Sequence, residues 1–276
     1  MYVDSHCHLS FPELAAKLPE IRQAMQQAQV DRALCICTTL EEFPQVHQLA
    51  LDYDNFWCSA GVHPDNEGVT EPDVATLLAL AAKPRVVAIG ETGLDYYQMD
   101  TRKGGRTIAD MDWQRERFRV HIRAAQQSGL PLVIHTRDAA QDTLRILDEE
   151  GETGAKIGAE TGAKSAAGGV FHCFSETVDV ARGALERGFY ISFSGIVTFK
   201  TAHALREVVA MVPLERMLIE TDSPYLAPVP YRGKTNTPAY VPHVARQIAL
   251  VKGCTVEEVA QHTSANFEAL FKRIQS

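Results

Sequence analysis

Val86-Val-Ala-Ile-Gly-Glu91 is a short apolar run that ends in a carboxylate, and Pro131-Leu-Val-Ile-His135 is a second run that ends in an imidazole. Between them lies Asp112–Ser128, which places apolar residues at helical spacing and is closed by Gly129-Leu-Pro131. The apolar runs suit strands that are buried on both faces. Strand, helix and strand in this order predict two parallel strands joined by a crossover helix.

The same alternation continues along the chain. Strands are predicted at Tyr2–His6, Arg32–Thr39, Phe56–Val62, Val86–Glu91, Leu132–Thr136, Gly169–Cys173, Tyr190–Gly195 and Met217–Asp222. Helices are predicted at Leu14–Gln29, Phe43–Tyr53, Asp73–Ala82, Asp112–Ser128, Ala139–Glu150, Thr177–Arg187 and Ala202–Met211. About eight such units favour a (β/α)8 TIM barrel, formed by a single domain over residues 1–276. A doubly wound open sheet is the alternative, although no Gly-x-Gly-x-x-Gly motif follows a strand.

Two segments do not follow this alternation. The tail Val241–Gln275 predicts two or three helices, one of which begins near Thr255, because Glu258 stands three residues later in a capping-box pattern. Glu152–Gly169 is rich in Gly, Ala and Ser and contains Glu-Thr-Gly-Ala-Lys twice. Such a composition does not build a packed core, so we predict a mobile surface loop there.

Composition and charge exclude several classes of protein. Hydrophobic residues make up 45% of the chain, which excludes wholesale disorder and fibrous structure. The formal net charge of −8 argues against a general nucleic-acid coat, whose usual footprint is a basic patch. The cysteines form no Cys-x-x-Cys pair, the N-terminus lacks the features of a signal peptide, and no apolar run approaches the ~20 residues that cross a bilayer. We therefore expect a reduced, cytoplasmic protein with no membrane association and no obligate protein partner.

Metal-competent side chains stand at the ends of five predicted strands. They are His6, His8, Glu91, His135, His172 and Asp222. The two-residue period of a strand puts His6 and His8 on one face, with Cys7 on the other. The carboxyl-terminal ends of the strands carry the active site in (β/α)8 enzymes. Because burying several unpaired ionisable groups together is costly, this arrangement favours a metal site over simple packing.

This ligand set predicts two divalent cations. Four imidazoles and two carboxylates without a thiolate fit Zn²⁺, Mn²⁺ or Mg²⁺, and Cys173 is predicted to face away as a packed thiol. Six ligands exceed one catalytic site with open positions, and the two oxygens of Glu91 can bridge two ions. A pair of cations ~4 Å apart would stabilise an in-line displacement at phosphorus and lower the pKa of a bound water. We predict Glu91 and Asp222 as catalytic residues, with Asp222 orienting that water or accepting its proton.

Several motifs carry a family resemblance that runs essentially end to end. They are Asp4-Ser-His-Cys-His8, Gly61-Val-His-Pro64, Gly90-Glu-Thr-Gly-Leu-Asp-Tyr96, His135-Thr-Arg-Asp138, His172-Cys-Phe174 and Glu220-Thr-Asp-Ser-Pro-Tyr-Leu-Ala-Pro228. The sequence closely resembles the TatD-like metal-dependent hydrolases, a branch of the amidohydrolase-type barrels, and within it the bacterial members known only as uncharacterised hydrolases. The resemblance implies the same six metal ligands. It also implies hydrolysis of phosphodiester bonds in DNA, often exonucleolytic.

Further positions in or near these motifs are predicted to contact substrate. They are His63, Asp95, Tyr96, Arg137, Arg232 and Lys234. Tyr96 is placed either to stack on a base or to cover the barrel mouth, and Arg137 either to bind phosphate or to form a salt bridge. Arg232 and Lys234 lie in a loop beyond the last predicted strand, where basic groups can hold a phosphate. For His63, a loop histidine capped by backbone groups is the alternative.

The predicted function is a metal-dependent hydrolase acting on ester bonds. Its expected substrates are the ends of DNA or short oligonucleotides, with 3′–5′ exonucleolytic cleavage as one form of the activity. An amidohydrolase-type enzyme for a small amide, lactone or ester is the first alternative, and a non-catalytic metal-binding scaffold is the second. Because the net charge opposes non-specific coating of DNA, short or damaged ends are expected rather than long duplex.

Overall fold

The computed structural model describes residues 1–99, 101, 104–161 and 168–275. Its strands are β1 Tyr2–Cys7, β2 Val30–Cys35, β3 Phe56–Ala60, β4 Val86–Asp95, β5 Leu132–Arg137, β6 Gly169–Phe171, β7 Tyr190–Phe193 and β8 Met217–Ile219. They form one sheet in chain order, and each strand pairs in parallel with the next. The predicted (β/α)8 barrel is confirmed. The doubly wound alternative is wrong, because such sheets reverse their strand order and this one does not.

Contacts between β1 and the segment after β8 bring the two ends of the sheet together. The amide of Asp222 donates to the carbonyl oxygen of His6 at 3.0 Å. The fully buried carboxylate of Asp4 accepts hydrogen bonds from the amide and the hydroxyl of Thr221. Burial raises the pKa of Asp4 to about 7, although the bonds from Thr221 act to lower it. The closure therefore places the histidines of β1 beside Asp222.

Helices connect the strands and cover the barrel. In the described residues they are α1 Pro12–Ala15, α2 Leu18–Gln27, α3 Phe43–Asp52, α4 Val74–Ala81, α5 Asp112–Ser128, α6 Ala140–Thr161, α7 Val178–Glu186, α8 His203–Met211, α9 Val241–Lys252 and α10 Val256–Leu270. The predicted capping box at Thr255 and Glu258 is present at the start of α10. None of these helices is long and apolar enough to cross a membrane.

Several predicted boundaries are wrong: β2 is Val30–Cys35 rather than Arg32–Thr39, β8 ends at Ile219 rather than at Asp222, and two helical segments also differ. The single helix expected over Leu14–Gln29 is two helices, because Pro19 lacks the amide proton that would continue α1 and lies instead in the first turn of α2. The loop expected over Glu152–Gly169 is helical in its first part, since α6 continues to Thr161. Alanine, glutamate and lysine in this part favour a helix, and the glycines among them cost only about 1 kcal/mol each. Residues 162–167 of the predicted loop lie outside the described residues.

The hydrophobic core has one layer inside the barrel and another between the strands and the helices. Side chains from strands all round the sheet, among them Val3, Val87 and Leu218, form the inner cluster. These three occupy the second position of their strands, and Phe267 and Phe271 pack against them. The amino-terminal end of the barrel is therefore filled with apolar side chains. The polar residues that end the strands are left to the opposite end.

Candidate metal centre

The predicted ligands converge at the carboxyl-terminal end of the barrel. His6 lies in β1, and His8 directly follows that strand. Glu91 lies in β4 and His135 in β5, while His172 follows β6 and Asp222 follows β8. Three groups of potential ligand atoms each lie within 4.8 Å of one another. The groups are His6, His8 and Asp222; His63, Glu91 and His135; and His6, His172 and Glu220.

Glu91 lies at the middle of this arrangement. Its Oε2 is 3.3 Å from Nε2 of His6, whereas its Oε1 is 3.2 Å from Nε2 of His63 and 3.4 Å from Nδ1 of His135. Burial acts to raise the pKa of Glu91, but the surrounding imidazoles outweigh it and hold that pKa well below its usual range. The side chain is therefore a buried carboxylate with each oxygen facing a different set of imidazoles.

Asp222 occupies the other side of His6. Its Oδ1 lies 3.6 Å from Nε2 of His6 and 3.4 Å from Nε2 of His8. Burial acts to raise the pKa of Asp222, while the hydrogen bond from His8 and the nearby imidazoles lower it below its usual value. Both carboxylates line the cleft, but 16% of the Asp222 side chain is exposed against 3% of the Glu91 side chain. Asp222 is therefore an ionised group that a substrate can approach.

The chemistry of this donor set fits divalent cations. Nε2 of His172 is buried and lies 2.8 Å from Oε1 of Glu91, yet it makes no hydrogen bond to any described residue. That geometry suits two ligand atoms that share a cation better than a donor and its acceptor. Burial acts to lower the pKa of His172, but Glu91 and Glu220 raise it well above its ordinary value, so the site favours positive charge. Burial also lowers the pKa of His6, which favours the neutral imidazole that binds metals.

Two buried carboxylates orient the histidines from behind. Nδ1 of His172 lies 3.2 Å from Oε1 of Glu220, and Nε2 of His135 lies 3.1 Å from Oδ2 of Asp95. Each imidazole thus turns one ring nitrogen to Glu91 and the other to a fully buried carboxylate. Metal-binding histidines commonly donate their second ring proton in this way.

Glu220 is a site residue that sequence reasoning missed. It also accepts a hydrogen bond from the amide of Cys173 at 2.8 Å, which fixes the segment that carries His172. A signal for it was available in the sequence. In the predicted strand Met217–Asp222, Glu220 precedes Asp222 by two residues, and the two-residue period of a strand would have put both on one face, although β8 itself ends at Ile219.

The candidate ligands open into a cleft of about 620 Å³ at the mouth of the barrel. Arg137 lines it and is the one guanidinium or ammonium group among the described lining residues. Its Nη2 lies 2.6 Å from Oδ2 of Asp95, and its guanidinium carbon lies 4.4 Å from the ring centre of Tyr97. Arg137 is thus held in place at the wall of the cleft, while 37% of its side chain stays exposed.

The cleft also contains a thiol that was expected to face away from it. Cys173 lines the cleft, and its Sγ lies 3.2 Å from the hydroxyl oxygen of Ser194. Strand alternation fails as a guide because β6 ends at Phe171 and the φ of Cys173 is 43°, in the left-handed region. Burial raises the pKa of this thiol well above its ordinary value, which keeps it protonated.

Three predicted substrate contacts lie away from the cleft lining. The hydroxyl of Tyr96 donates to Asp142 at 2.8 Å, and only 5% of the residue is exposed. The guanidinium of Arg232 stacks 3.8 Å from the ring centre of Phe199 and not on the site. The ammonium of Lys234 lies 5.6 Å from a tyrosine ring in the same surface loop. Their positions leave Arg137 as the basic group nearest the ligands.

Comparison with known proteins assigns the family. A family model described as "TatD related DNase" matches residues 3–272. The chain belongs to this family. It is 44% identical to an uncharacterised metal-dependent hydrolase, YcfH, of Escherichia coli K12, over 99% of this chain and 98% of that protein. It is 36% identical to the 3′-5′ ssDNA/RNA exonuclease TatD of Citrobacter rodentium, over 88% of each chain.

A solved structure supports the fold. The crystal structure of YJJV, a TatD homologue from Escherichia coli K12, superposes with a TM-score of 0.84 at 24% identity, over 98% of both chains. The predicted family resemblance is confirmed by the match over nearly the whole chain. The protein is a metal-dependent hydrolase of the class that acts on ester bonds, as the sequence predicts.

His121 on α5 supports the segment that carries His63, and it gives a prediction for stability. Its Nε2 accepts a hydrogen bond from the amide of Val62 at 3.0 Å, and its Nδ1 donates to the carbonyl of Arg117 at 2.8 Å. Burial lowers the pKa of His121 to about 4. As the pH falls from about 6.5 towards 4, the unfolded chain binds a proton that the folded protein resists. The free energy of unfolding should therefore drop by up to about 3 kcal/mol on this account.

Urea unfolding of the metal-free protein at several pH values measures this effect. Below pH 6.5, we expect the free energy of unfolding to fall less steeply with decreasing pH in His121→Gln than in the unsubstituted protein. His203→Gln, which removes an exposed imidazole on α8, serves as the control and should leave the slope unchanged. Equal slopes for all three proteins would contradict the prediction.

Proposed function

We propose that this protein is a deoxyribonuclease that uses two divalent cations to cleave phosphodiester bonds at the ends of single-stranded DNA or short oligonucleotides. The observation that carries the proposal is the position of Glu91. One of its oxygens faces the group of His6, His8 and Asp222, and the other faces His63 and His135. A carboxylate placed in this way suits a bridge between two cations.

Different residues of the chain have different roles in such a reaction. When bound, the cations would supply Lewis acidity and lower the pKa of a water. Asp222 orients the attacking water and accepts its proton, as an ionised and partly exposed carboxylate beside the ligands. The water oxygen forms a bond to phosphorus while the bond to the leaving oxygen breaks, and the leaving oxygen takes up a proton from solvent water. Arg137 binds a non-bridging phosphate oxygen from the wall of the cleft, where Asp95 fixes its orientation.

The other predicted residues, together with Glu220, are assigned roles beside the ligands. We assign Asp95 and Glu220 to orienting His135 and His172, since both carboxylates are fully buried and bonded to those rings. His63 faces Glu91 as closely as His135 does, which suits a ligand better than a substrate contact. The role of Tyr96, Arg232 and Lys234 in substrate binding finds no support in their positions.

The size and charge of the cleft favour short, single-stranded substrates. A volume of about 620 Å³ suits one small ligand or a nucleotide unit rather than a duplex. Strong binding of long DNA depends on many phosphate contacts, whereas this cleft offers a single guanidinium and the chain carries a net charge of −8. The exonuclease name of the Citrobacter rodentium relative agrees with cleavage from an end.

Removal and replacement of the metal tests this proposal. Protein stripped with a chelator should be inactive, and Mg²⁺, Mn²⁺ or Zn²⁺ added singly should restore stepwise shortening of an end-labelled single strand. The matched duplex should be cut more slowly, because its ends are paired and a cleft of about 620 Å³ does not hold a duplex. Metal content is measured on the same samples, and two equivalents per chain are expected.

Two outcomes would contradict the proposal. Turnover of amides or lactones with no cleavage of DNA under any metal would identify an amidohydrolase-type enzyme. Tight binding of metal with no turnover of phosphodiesters, amides or lactones would identify a metal-binding scaffold.

A further inference from the structure

Two aromatic rings at the rim of the cleft have no part in the metal centre. Phe11 follows β1, and Tyr225 lies in the loop after β8; both line the cleft. The ring of Phe11 stacks on His8 at 4.6 Å between centres, and it meets the ring of Tyr225 edge-on at 6.4 Å. The two rings form a continuous apolar wall that begins at a ligand and ends in solvent.

Tyr225 is exposed although its backbone is firmly held. Its residue surface is 55% exposed, and it is the one aromatic residue among the large exposed hydrophobic residues in the described part of the chain. Its amide donates to the carbonyl of Asp222 at 3.0 Å, and its carbonyl accepts from Nδ2 of Asn236 at 2.6 Å. Asn236 is fully buried and also donates to the carbonyl of Thr221 at 2.8 Å. The ring is therefore presented to solvent by a fixed loop, which suits a preorganised contact with a ligand.

We propose that Tyr225, backed by Phe11, is the stacking surface for the base of the nucleotide at the cleavage site. This inference rests on the proposed function and names the part of the substrate that the rim recognises. A base joined through its sugar to the phosphate at the metal centre would lie near these rings, because Phe11 stacks directly on His8 and Tyr225 meets Phe11 in the same cleft. Arg137 occupies another part of the same cleft, so the phosphate and the base have separate contacts.

The aromatic character of the wall determines which substrates it should bind more tightly. Aromatic rings stack on every base, so the wall recognises the presence of a base and not its identity. A base inside a duplex already stacks on its neighbours, and it must be unpaired and unstacked to reach Tyr225. Unpaired ends should therefore be preferred over duplex ends, and base-bearing ends over abasic ends.

The inference can be tested with two oligonucleotides that are identical except at the terminal nucleotide. In one oligonucleotide this nucleotide carries a base, and in the other it is abasic. Tyr225→Ala should raise KM for the base-bearing strand by roughly tenfold, within the range expected for loss of one stacking contact, and leave KM for the abasic strand unchanged. Tyr225→Phe keeps the ring and should behave as the unsubstituted protein. Tyr231→Ala removes a tyrosine that stacks on Tyr240 outside the cleft lining, and it serves as the control.

A binding measurement separates this inference from the proposed function. Titration of the metal-loaded protein with a nucleoside 5′-monophosphate should show roughly tenfold weaker binding in Tyr225→Ala, with binding of inorganic phosphate unchanged. If no phosphodiester is cleaved but this difference appears, the proposed function fails and the stacking surface stands. An equal change for base-bearing and abasic strands, or no change in either assay, would overturn the inference. Unchanged metal content in the variants shows that the fold is intact.

Discussion

Glu91→Gln is expected to lower kcat/KM for phosphodiester cleavage by about a thousandfold or more and to release bound metal. The substitution keeps the size of the side chain and removes its charge. One of the two ligand oxygens becomes an amide nitrogen, which binds no cation and would face the imidazoles of His6 or of His63 and His135. Because Glu91 contacts both groups of predicted ligands, both groups should lose affinity for metal together.

Elemental analysis and steady-state kinetics on the same preparation measure this result. Glu207→Gln is the matched control, since Glu207 is an exposed glutamate on α8. It should retain metal and activity. A Glu91→Gln protein that keeps two equivalents of metal and most of its activity would show that Glu91 is not a bridge.

The position of the site follows from the sequence because strands impose a simple geometry. In a closed barrel of parallel strands, all carboxyl-terminal strand ends meet at the same mouth. Six ionisable residues at such ends are therefore expected to lie close together there. His6 and His8 illustrate this, with Nε2 atoms 3.3 Å apart, while Cys7 between them turns its thiol to the carbonyl of Leu34. The same logic applied to Glu220 and Asp222 would have added Glu220 to the predicted site.

Beyond the strand ends, the sequence determines the side-chain positions less directly. His63 follows β3 by three residues, and its approach to Glu91 depends on the turn, in which its Nδ1 accepts from the amide of Asp65. Arg232 is long enough to reach either the cleft or Phe199, and the carbonyl of Ala227 directs it to the latter. These outcomes depend on loop conformation, which residue type and spacing do not specify.

The sequence alone does not predict the role of the rim either, because that role depends on how the loop after β8 is held. Tyr225 is one aromatic residue in a loop, and an exposed ring and a buried ring look alike in a sequence. Its significance appears only in the structure, where Asn236, eleven residues further on, binds the carbonyl of Tyr225 and fixes the loop.

Gly93 is a similar case within the barrel. A Cβ there would lie 1.9 Å from the carbonyl oxygen of His135, so only glycine lets β4 approach this predicted ligand.

Asp222→Asn is expected to reduce kcat by roughly 10²- to 10⁴-fold, the range for loss of a general base, with a smaller loss of metal than in Glu91→Gln. The variant keeps one ligand oxygen beside His6 and His8 but can no longer accept a proton from the attacking water. The ligands on the other side, Glu91, His63 and His135, are untouched. At least one equivalent of metal should therefore remain bound.

This difference between the two variants separates the two roles of the carboxylates. Single-turnover kinetics with saturating substrate isolates the chemical step, and Asp179→Asn, an exposed aspartate on α7, is the control. A large fall in rate at nearly full metal content assigns proton transfer to Asp222. If the rate instead falls only in proportion to lost metal, Asp222 acts as a ligand alone. The proton acceptor must then be sought elsewhere in the cleft, since Glu91 is enclosed by imidazoles and only 2% exposed.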